Sequence, residues 1–423
     1  MLFELPEALS AYLGELDGFI ADKIKPLEAV DDNIRFFDHR REYARTDFEN
    51  GGLPRKEWEA LLHRAQRLAD AAGHYRYALP VAFGGRDGSN LGMAVIREYL
   101  AAKGLGLHND LQNEHSIVGN LVQPLMLRDF GTAEQQAAHI PPMLAGESYW
   151  SAGLTEPDHG SDATHMQTRA VRETRGGVPG WLINGAKMWT TGLHNATACM
   201  VFARTSGADG AARGITCFIV PAGTAGFTVG EYLWTFNMPT DHPRCFFKDV
   251  WVPEHAMLGA LDEGLTVAQH FVHENRIRQA ASSLGAAQYC IDEAVRHANA
   301  RTVFGRPLSR NQAIQWPLVE LQTEAEMLRL LIRKTAAQMD MMPKTEVAKH
   351  LSDRVSMCNY RANRLVCQAA DTAMQVHGGL GYSRHKPFEH IYRHHRRYRI
   401  TEGTEEIQMR KVALHLFGFG VGP

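Results

Sequence analysis

The chain has 423 residues, more than one ordinary hydrophobic core organises, so two or three domains are expected. Hydrophobic residues at 44% and charged residues at 22% describe a folded globular protein, and no apolar run approaches the ~18 residues of a membrane span. Lys and Arg number 45 against 47 Asp and Glu, and a net charge of -2 argues against a basic nucleic-acid-binding face. The start, Met1-Leu2-Phe3-Glu4, has no basic signal region and no Arg-rich transit composition, so a cytoplasmic location is expected. Residues 1–148 then read as helical. Leu9, Leu13, Leu16 and Ile20 recur at helical spacing, as do Trp58, Leu61, Leu62, Ala65, Leu68 and Ala72, then Ile117, Leu121 and Leu125. Over 149–258 the texture changes to short β-prone runs, such as Ala198 to Ala203, Ile215 to Val220 and Cys245 to Val252, separated by Gly- and Pro-rich turns. That pattern predicts a small antiparallel β domain, a barrel or sandwich. Residues 259–423 return to helical spacing in three long segments, which predicts a bundle. Six cysteines without Cys-x-x-Cys spacing read as buried free thiols, and 21 histidines without His-Glu-x-x-His predict no metal site.

Five stretches carry possible chemistry. Ala152 to Asp162 holds Thr155, Glu156, Gly160 and Ser161 on tight turns, where hydroxyls and backbone N–H groups can meet a flavin edge or pyrophosphate. Asn184-Gly185 reads as a hairpin turn that delivers Trp189 and Thr191 to one side of the following strand, a ring and a hydroxyl suited to a planar cofactor. Arg301, Phe304 and Gln312 lie in the connection between two long helices. Gln375 to Tyr382 ends the third helix on Gly378-Gly379, a C-cap that permits close backbone approach. In Glu402-Gly403-Thr404-Glu405-Glu406, Gly403 permits a turn, Thr404 is a good N-cap and Glu402 is a candidate base. Each stretch taken singly also reads as an ordinary loop or helix end.

Together, in this order and in an α–β–α layout, they resemble the acyl-CoA dehydrogenase family. Leu154-Thr155-Glu156-Pro157 with Gly160-Ser161-Asp162, and Gln375 to Tyr382 with Glu402-Gly403-Thr404, carry the resemblance. It implies an N-terminal helical domain (1–148), a middle antiparallel β-barrel (149–258) and a C-terminal four-helix bundle (259–423). It implies FAD as cofactor and an acyl-CoA substrate, with an electron-transferring flavoprotein as acceptor. Assembly would be a homodimer or homotetramer. Ala152, Leu154, Thr155, Gly160 and Ser161 would line the flavin, Trp189 and Thr191 would contact its ring, and Thr191 would lie near N5. Arg301, Phe304, Gln312, Gln375, Gly378 and Gly379 would reach the FAD of a neighbouring subunit, and Thr404 and Glu406 its adenosine half. Ser161, Arg276 and Gly403 would meet substrate, and Glu402 would be the α-proton base. Asn275, where some members place the base, is an amide. An acyl-CoA oxidase or a flavin monooxygenase of the same superfamily is the alternative. Three departures from the family pattern stand out: Asp158 and His159, the segment Asn237 to Pro243, and the basic run Arg393 to Arg399.

Overall fold

A computed structural model describes residues 4–110 and 115–419. The chain packs as two compact units: residues 1–45, 55–120 and 273–423 form one, and residues 46–54 and 121–272 the other.

The first unit is helical. Its N-terminal part holds α1 (Glu7–Phe19), α2 (Lys56–Ala71) and α3 (Asn90–Ala102). In α2, Trp58, Leu61, Leu62, Ala65 and Ala69 are buried, as the helical spacing requires. The Ile117–Leu125 spacing is different: the helix there, α4 (Val122–Phe130), starts only after a left-handed Leu121, and it belongs to the second unit together with α5 (Ala133–Leu144).

The second unit is built on one sheet: β1 (Trp150–Gly153), β2 (Arg169–Arg175), β3 (Val178–Met188), β4 (Ala198–Arg204), β5 (Ile215–Pro221), β6 (Phe227–Tyr232), β7 (Pro243–Pro253) and β8 (Met257–Leu258). The strand order is β6-β7-β3-β2-β4-β5-β8, with β1 paired to β4. The expected antiparallel β-barrel is thus corrected on two counts. The order has two ends and does not close among the described residues, and β1 and β2 each run parallel to β4. Neither parallel neighbour reaches β4 through a hairpin, so nothing forces antiparallel pairing there. Asn184-Gly185 is also no hairpin turn. It lies inside β3 at a register shift opposite Phe247–Val250, where Asp249 accepts from the Asn184 amide (3.2 Å) and its own N–H donates to Asn184 Oδ1 (2.8 Å).

Within this unit Lys187 is wholly buried and Glu156 nearly so, and Lys187 Nζ lies 2.9 Å from Glu156 Oε1. Burial works to raise the Glu156 carboxyl, but Lys187 and the N–H groups of Gln167 and Thr168 outweigh it and hold it below its ordinary value. Burial pulls the Lys187 amine down against the same partner. Lys187 also donates to the Leu154 carbonyl at 3.1 Å. The pair therefore fastens the loop after β1 to strand β3.

The long C-terminal helices are α6 (Val272–Ala300), α7 (Gln312–Asp340) and α8 (Ser352–His377), followed by the shorter α9 (Phe388–Arg396) and α10 (Glu405–Leu416). Helices α7, α9 and α10 all pack on α8. Helix α3 crosses α6 at Gly285, where a Cβ would come within 2.1 Å of the Glu98 carbonyl oxygen. All six cysteines are free and buried, as their spacing indicates. No described helix is long and apolar enough to cross a membrane.

Removing one partner of the Lys187–Glu156 pair leaves a buried uncompensated charge, a loss of about 3–5 kcal/mol. Lys187→Met is expected to lower the unfolding midpoint in denaturant, and Lys187→Met with Glu156→Leu to restore most of the loss.

Candidate active site

The residues singled out in the sequence fall into three sets, one in the sheet unit and two in the helical unit. In the sheet unit, Met188 N–H donates to the Thr155 carbonyl at 2.9 Å, so the 154–161 loop runs beside the end of β3. Thr155 and Leu154 are half-buried, and Ala152, Gly160 and Ser161 are exposed. Asp158 is not among the left-handed residues, so its presence in this loop needs no backbone strain. Strand β3 ends at Met188, and Trp189 and Thr191 therefore sit on a turn rather than on one face of a strand. Trp189 adopts φ 61°, and Thr191 N–H donates to its carbonyl at 3.0 Å. This turn leaves the indole 45% exposed while Thr190 is buried beneath it. An exposed flat ring with the Thr191 hydroxyl two residues on, and the exposed Ser161 hydroxyl, are residue types that suit an isoalloxazine.

In the helical unit, Glu402 has φ 56° and Gly403 φ 86°. Among the described residues nine other than glycine have positive φ. Five are aspartates, which tolerate that region, and the other four are Leu121, Trp189, Phe304 and Glu402. Three of those four are residues the sequence marks as functional, and strain of this kind concentrates at sites that use it. Arg276 Nε donates to the Glu402 carbonyl at 2.9 Å, and a Cβ on Gly403 would lie 2.8 Å from the same guanidinium. Burial lowers the Arg276 guanidinium, and the Glu402 charge works to raise it. Gln408 Nε2 donates to the Gly403 carbonyl at 2.8 Å and to Asn359 Oδ1 at 3.0 Å. Asn359 donates to the Arg276 carbonyl at 2.8 Å. Asn363 donates to Asn359 Oδ1 at 3.0 Å and to the Tyr398 carbonyl at 3.1 Å, and accepts from Ser283 at 2.6 Å. The turn from Tyr398 to Gly403 is thus hung from a buried amide network. Beyond it, Thr404 caps α10, accepting from Ile407 N–H at 3.4 Å. Glu406 is exposed, whereas Glu405 is buried against Arg399 (2.8 Å) and Arg364 (3.1 Å).

The remaining residues gather elsewhere. His297 and His377 stack with centroids 4.1 Å apart, which places the Arg301–Gln312 connection and the Gln375–Gly379 helix end together. Phe304 stands fully exposed at φ 47° on the tip of a two-residue-arm hairpin, beside exposed Arg301. Gln312, Gln375, Gly378 and Gly379 are exposed as well. Arg276 and Ala300 lie at opposite ends of α6, about 36 Å apart at 1.5 Å per residue. One chain therefore does not bring Arg301, Phe304 or Gln375 to Glu402.

The basic run is internal structure. His394 and His395 are buried, Arg393 pairs with Glu42 and Glu389, and Arg399 with Glu405. Sequence reading missed Lys187, Asn359, Asn363, Ser283 and Gln408. One signal was present: Asn359 and Asn363, four apart, flank the apolar stripe of α8.

Comparison with known proteins identifies the family. Family profiles match three stretches: "Acyl-CoA dehydrogenase, N-terminal domain" over residues 17–147, "middle domain" over 151–250 and "C-terminal domain" over 262–417. The chain is 33% identical over 349 residues to a 3-(aryl)acrylate reductase of Clostridium sporogenes, covering 81% of this chain and 87% of that protein. It is 29% identical over 342 residues to the caffeyl-CoA reductase-Etf complex subunit CarC of Acetobacterium woodii, covering 81% and 86%. The structure of butyryl-CoA dehydrogenase from Megasphaera elsdenii superposes with a TM-score of 0.76 at 26% identity, over 99% of this chain and 100% of that one. The chain belongs to the acyl-CoA dehydrogenase family, flavoprotein oxidoreductases that act on CH–CH groups, and has its fold.

Proposed function

We propose that this protein dehydrogenates an acyl-CoA thioester to the trans-2-enoyl-CoA, with Glu402 removing the α-proton. The observation that carries this reading is the left-handed Glu402, its carbonyl clamped by Arg276 and its neighbours Tyr398 and Gly403 pinned by buried amides. A base acts only when held within contact of its proton, and a carboxylate on a pinned turn meets that need without ordering at each turnover. Asn275, next to Arg276, has no basicity and offers no rival. Bound FAD would supply the acceptor for the β-hydride, at N5. Ala152, Leu154, Thr155, Gly160 and Ser161 would line it, and Trp189 and Thr191 would meet its ring. Ser161, Arg276 and Gly403 would orient the substrate, and Thr404 and Glu406 would hold the adenosine half. The division into segments 1–148, 149–258 and 259–423 is part of the same reading.

Arg301, Phe304, Gln312, Gln375, Gly378 and Gly379 would serve the FAD of a neighbouring copy, which accounts for their distance from Glu402. Helix α7 supports assembly: Trp316, Val319, Met327 and Leu330 form an exposed apolar stripe. An electron-transferring flavoprotein is the proposed acceptor, in line with the Etf-complex relative. The reductase relative favours a second reading, the same chemistry run in reverse, in which protonated Glu402 returns the proton to the α-carbon.

With acyl-CoA added anaerobically, Glu402→Gln is expected to keep FAD absorbance yet bleach at least ~10²-fold more slowly than wild type. Equal bleaching would rule Glu402 out as the base, and rapid reoxidation of wild type in air would identify an oxidase. Leu330→Glu is expected to shift the protein to a smaller species in size-exclusion chromatography and to weaken FAD retention. The Glu405 carboxyl is held at about 2 against an ordinary 4.5, first by its hydrogen bonds with Arg399. A depressed carboxyl stabilises the fold above its unfolded value and loses that contribution as pH falls. Stability is therefore expected to drop between pH 4.5 and 2, and Glu405→Gln to flatten that slope in an acid-unfolding series.

A further inference from the structure

The segment Asn237 to Pro243, which departs from the family pattern, places Asp241 and His242 directly behind Thr191. His242 Nδ1 lies 3.0 Å from Asp241 Oδ1 and 3.1 Å from Thr191 Oγ1. The two side chains are only 18% and 26% exposed, for His242 and Asp241 respectively. The backbone fixes both. Gly192 N–H donates to the Asp241 carbonyl at 3.0 Å, Leu233 N–H to the His242 carbonyl at 3.0 Å, and the buried Thr240 hydroxyl to the Leu233 carbonyl at 2.6 Å. The Trp189 ring lies edge-on to the imidazole with centroids 6.3 Å apart.

One assignment of the protons suits both contacts: a carboxylate oxygen accepts, so a hydrogen on His242 Nδ1 is the state that matches Asp241. A protonated Nδ1 has no lone pair to offer Thr191, so the Thr191 oxygen faces it as an acceptor and the hydroxyl hydrogen turns away from the ring. Without Asp241 a neutral imidazole is free to present a bare Nδ1, and Thr191 would then spend its hydrogen on it. We propose that His242, oriented by Asp241, is a positioning residue that fixes the Thr191 hydroxyl as a donor toward the flavin. This rests on the flavin reading above. A fixed donor favours the oxidised ring, whose N5 accepts, over the reduced ring, whose N5–H donates. Once hydride has arrived the same hydroxyl faces N5–H donor to donor, so the lock lowers the potential of the bound ring.

Two measurements on the FAD-loaded full-length protein test this. In a long-range 1H–15N spectrum of 15N-histidine-labelled protein, His242 is assigned by its loss in His242→Gln, and its Nδ1 is expected to carry the proton. A bare Nδ1 overturns the proposal. The midpoint potential of the bound FAD is expected to rise in His242→Phe, to stay at the wild-type value in His242→Asn, whose amide can still donate to Thr191, and to show no added shift when His242→Phe is placed on Thr191→Val. An equal shift with and without the Thr191 hydroxyl, or no shift at all, also overturns it, because coupling through Thr191 requires non-additivity. A loaded protein with a bare Nδ1 sinks this proposal alone, whereas a protein that takes up no FAD sinks the functional reading and this proposal with it.

Discussion

The candidate base depends on a constraint several residues away from it. Asn359 and Asn363 sit fully buried in the apolar helix Ser352–His377 and use their amides on the Arg276 and Tyr398 carbonyls and on each other. A buried amide without partners costs free energy, so this network is stable only when the Tyr398–Gly403 turn is in place to complete it. The same bonds that satisfy the core therefore hold Glu402 in a backbone conformation that a glutamate does not otherwise favour. Strain at one residue is offset by the hydrogen bonds that Arg276, Asn359, Asn363 and Gln408 make to the turn and to one another.

The sheet unit solves a similar problem with charge. The loop after the first strand carries four candidate contact residues and is anchored by Glu156 and Lys187, two ions that are seldom buried without a partner. With two backbone N–H groups on Glu156 and a carbonyl on Lys187, the pair is satisfied and the loop has one position. On the other side of the third strand, the Trp189 turn is fixed by hydrogen bonds to the segment that holds Asp241 and His242. Both units thus place functional residues on turns and spend their buried polar groups on holding those turns still.

Much of the layout was legible from spacing. The apolar period of Trp58 to Ala69 and of Val355 to Val376 marks helices because only a 3.6-residue repeat puts those positions on one face, and the alternation around Cys245 to Val252 marks a strand for the same kind of reason. Gly403 and Thr404 announced a turn followed by a helix start, and both do that. The sheet's parallel pairings, its open ends and the bulge at Asn184-Gly185 were not legible, since they depend on which strands meet across long separations and not on any local pattern. In the basic run Arg393 to Arg399, Glu389 and Glu405 are near in sequence and could be read as partners, whereas the Glu42 partner of Arg393 is distant and could not.

The sequence by itself determined the family, the candidate base and the ring-and-hydroxyl pair at Trp189 and Thr191, because those rest on residue types in a fixed order. Only the tertiary structure decided that Glu402 is left-handed and clamped, and that Arg301 and Phe304 follow the far end of the helix whose Arg276 clamps it, about 36 Å along from that arginine. It also decided that a histidine and an aspartate stand behind Thr191. The physical reason is common to all three. Hydrogen bonds between groups far apart in the chain fix conformation, and a linear sequence carries residue identity but not the distance between residues.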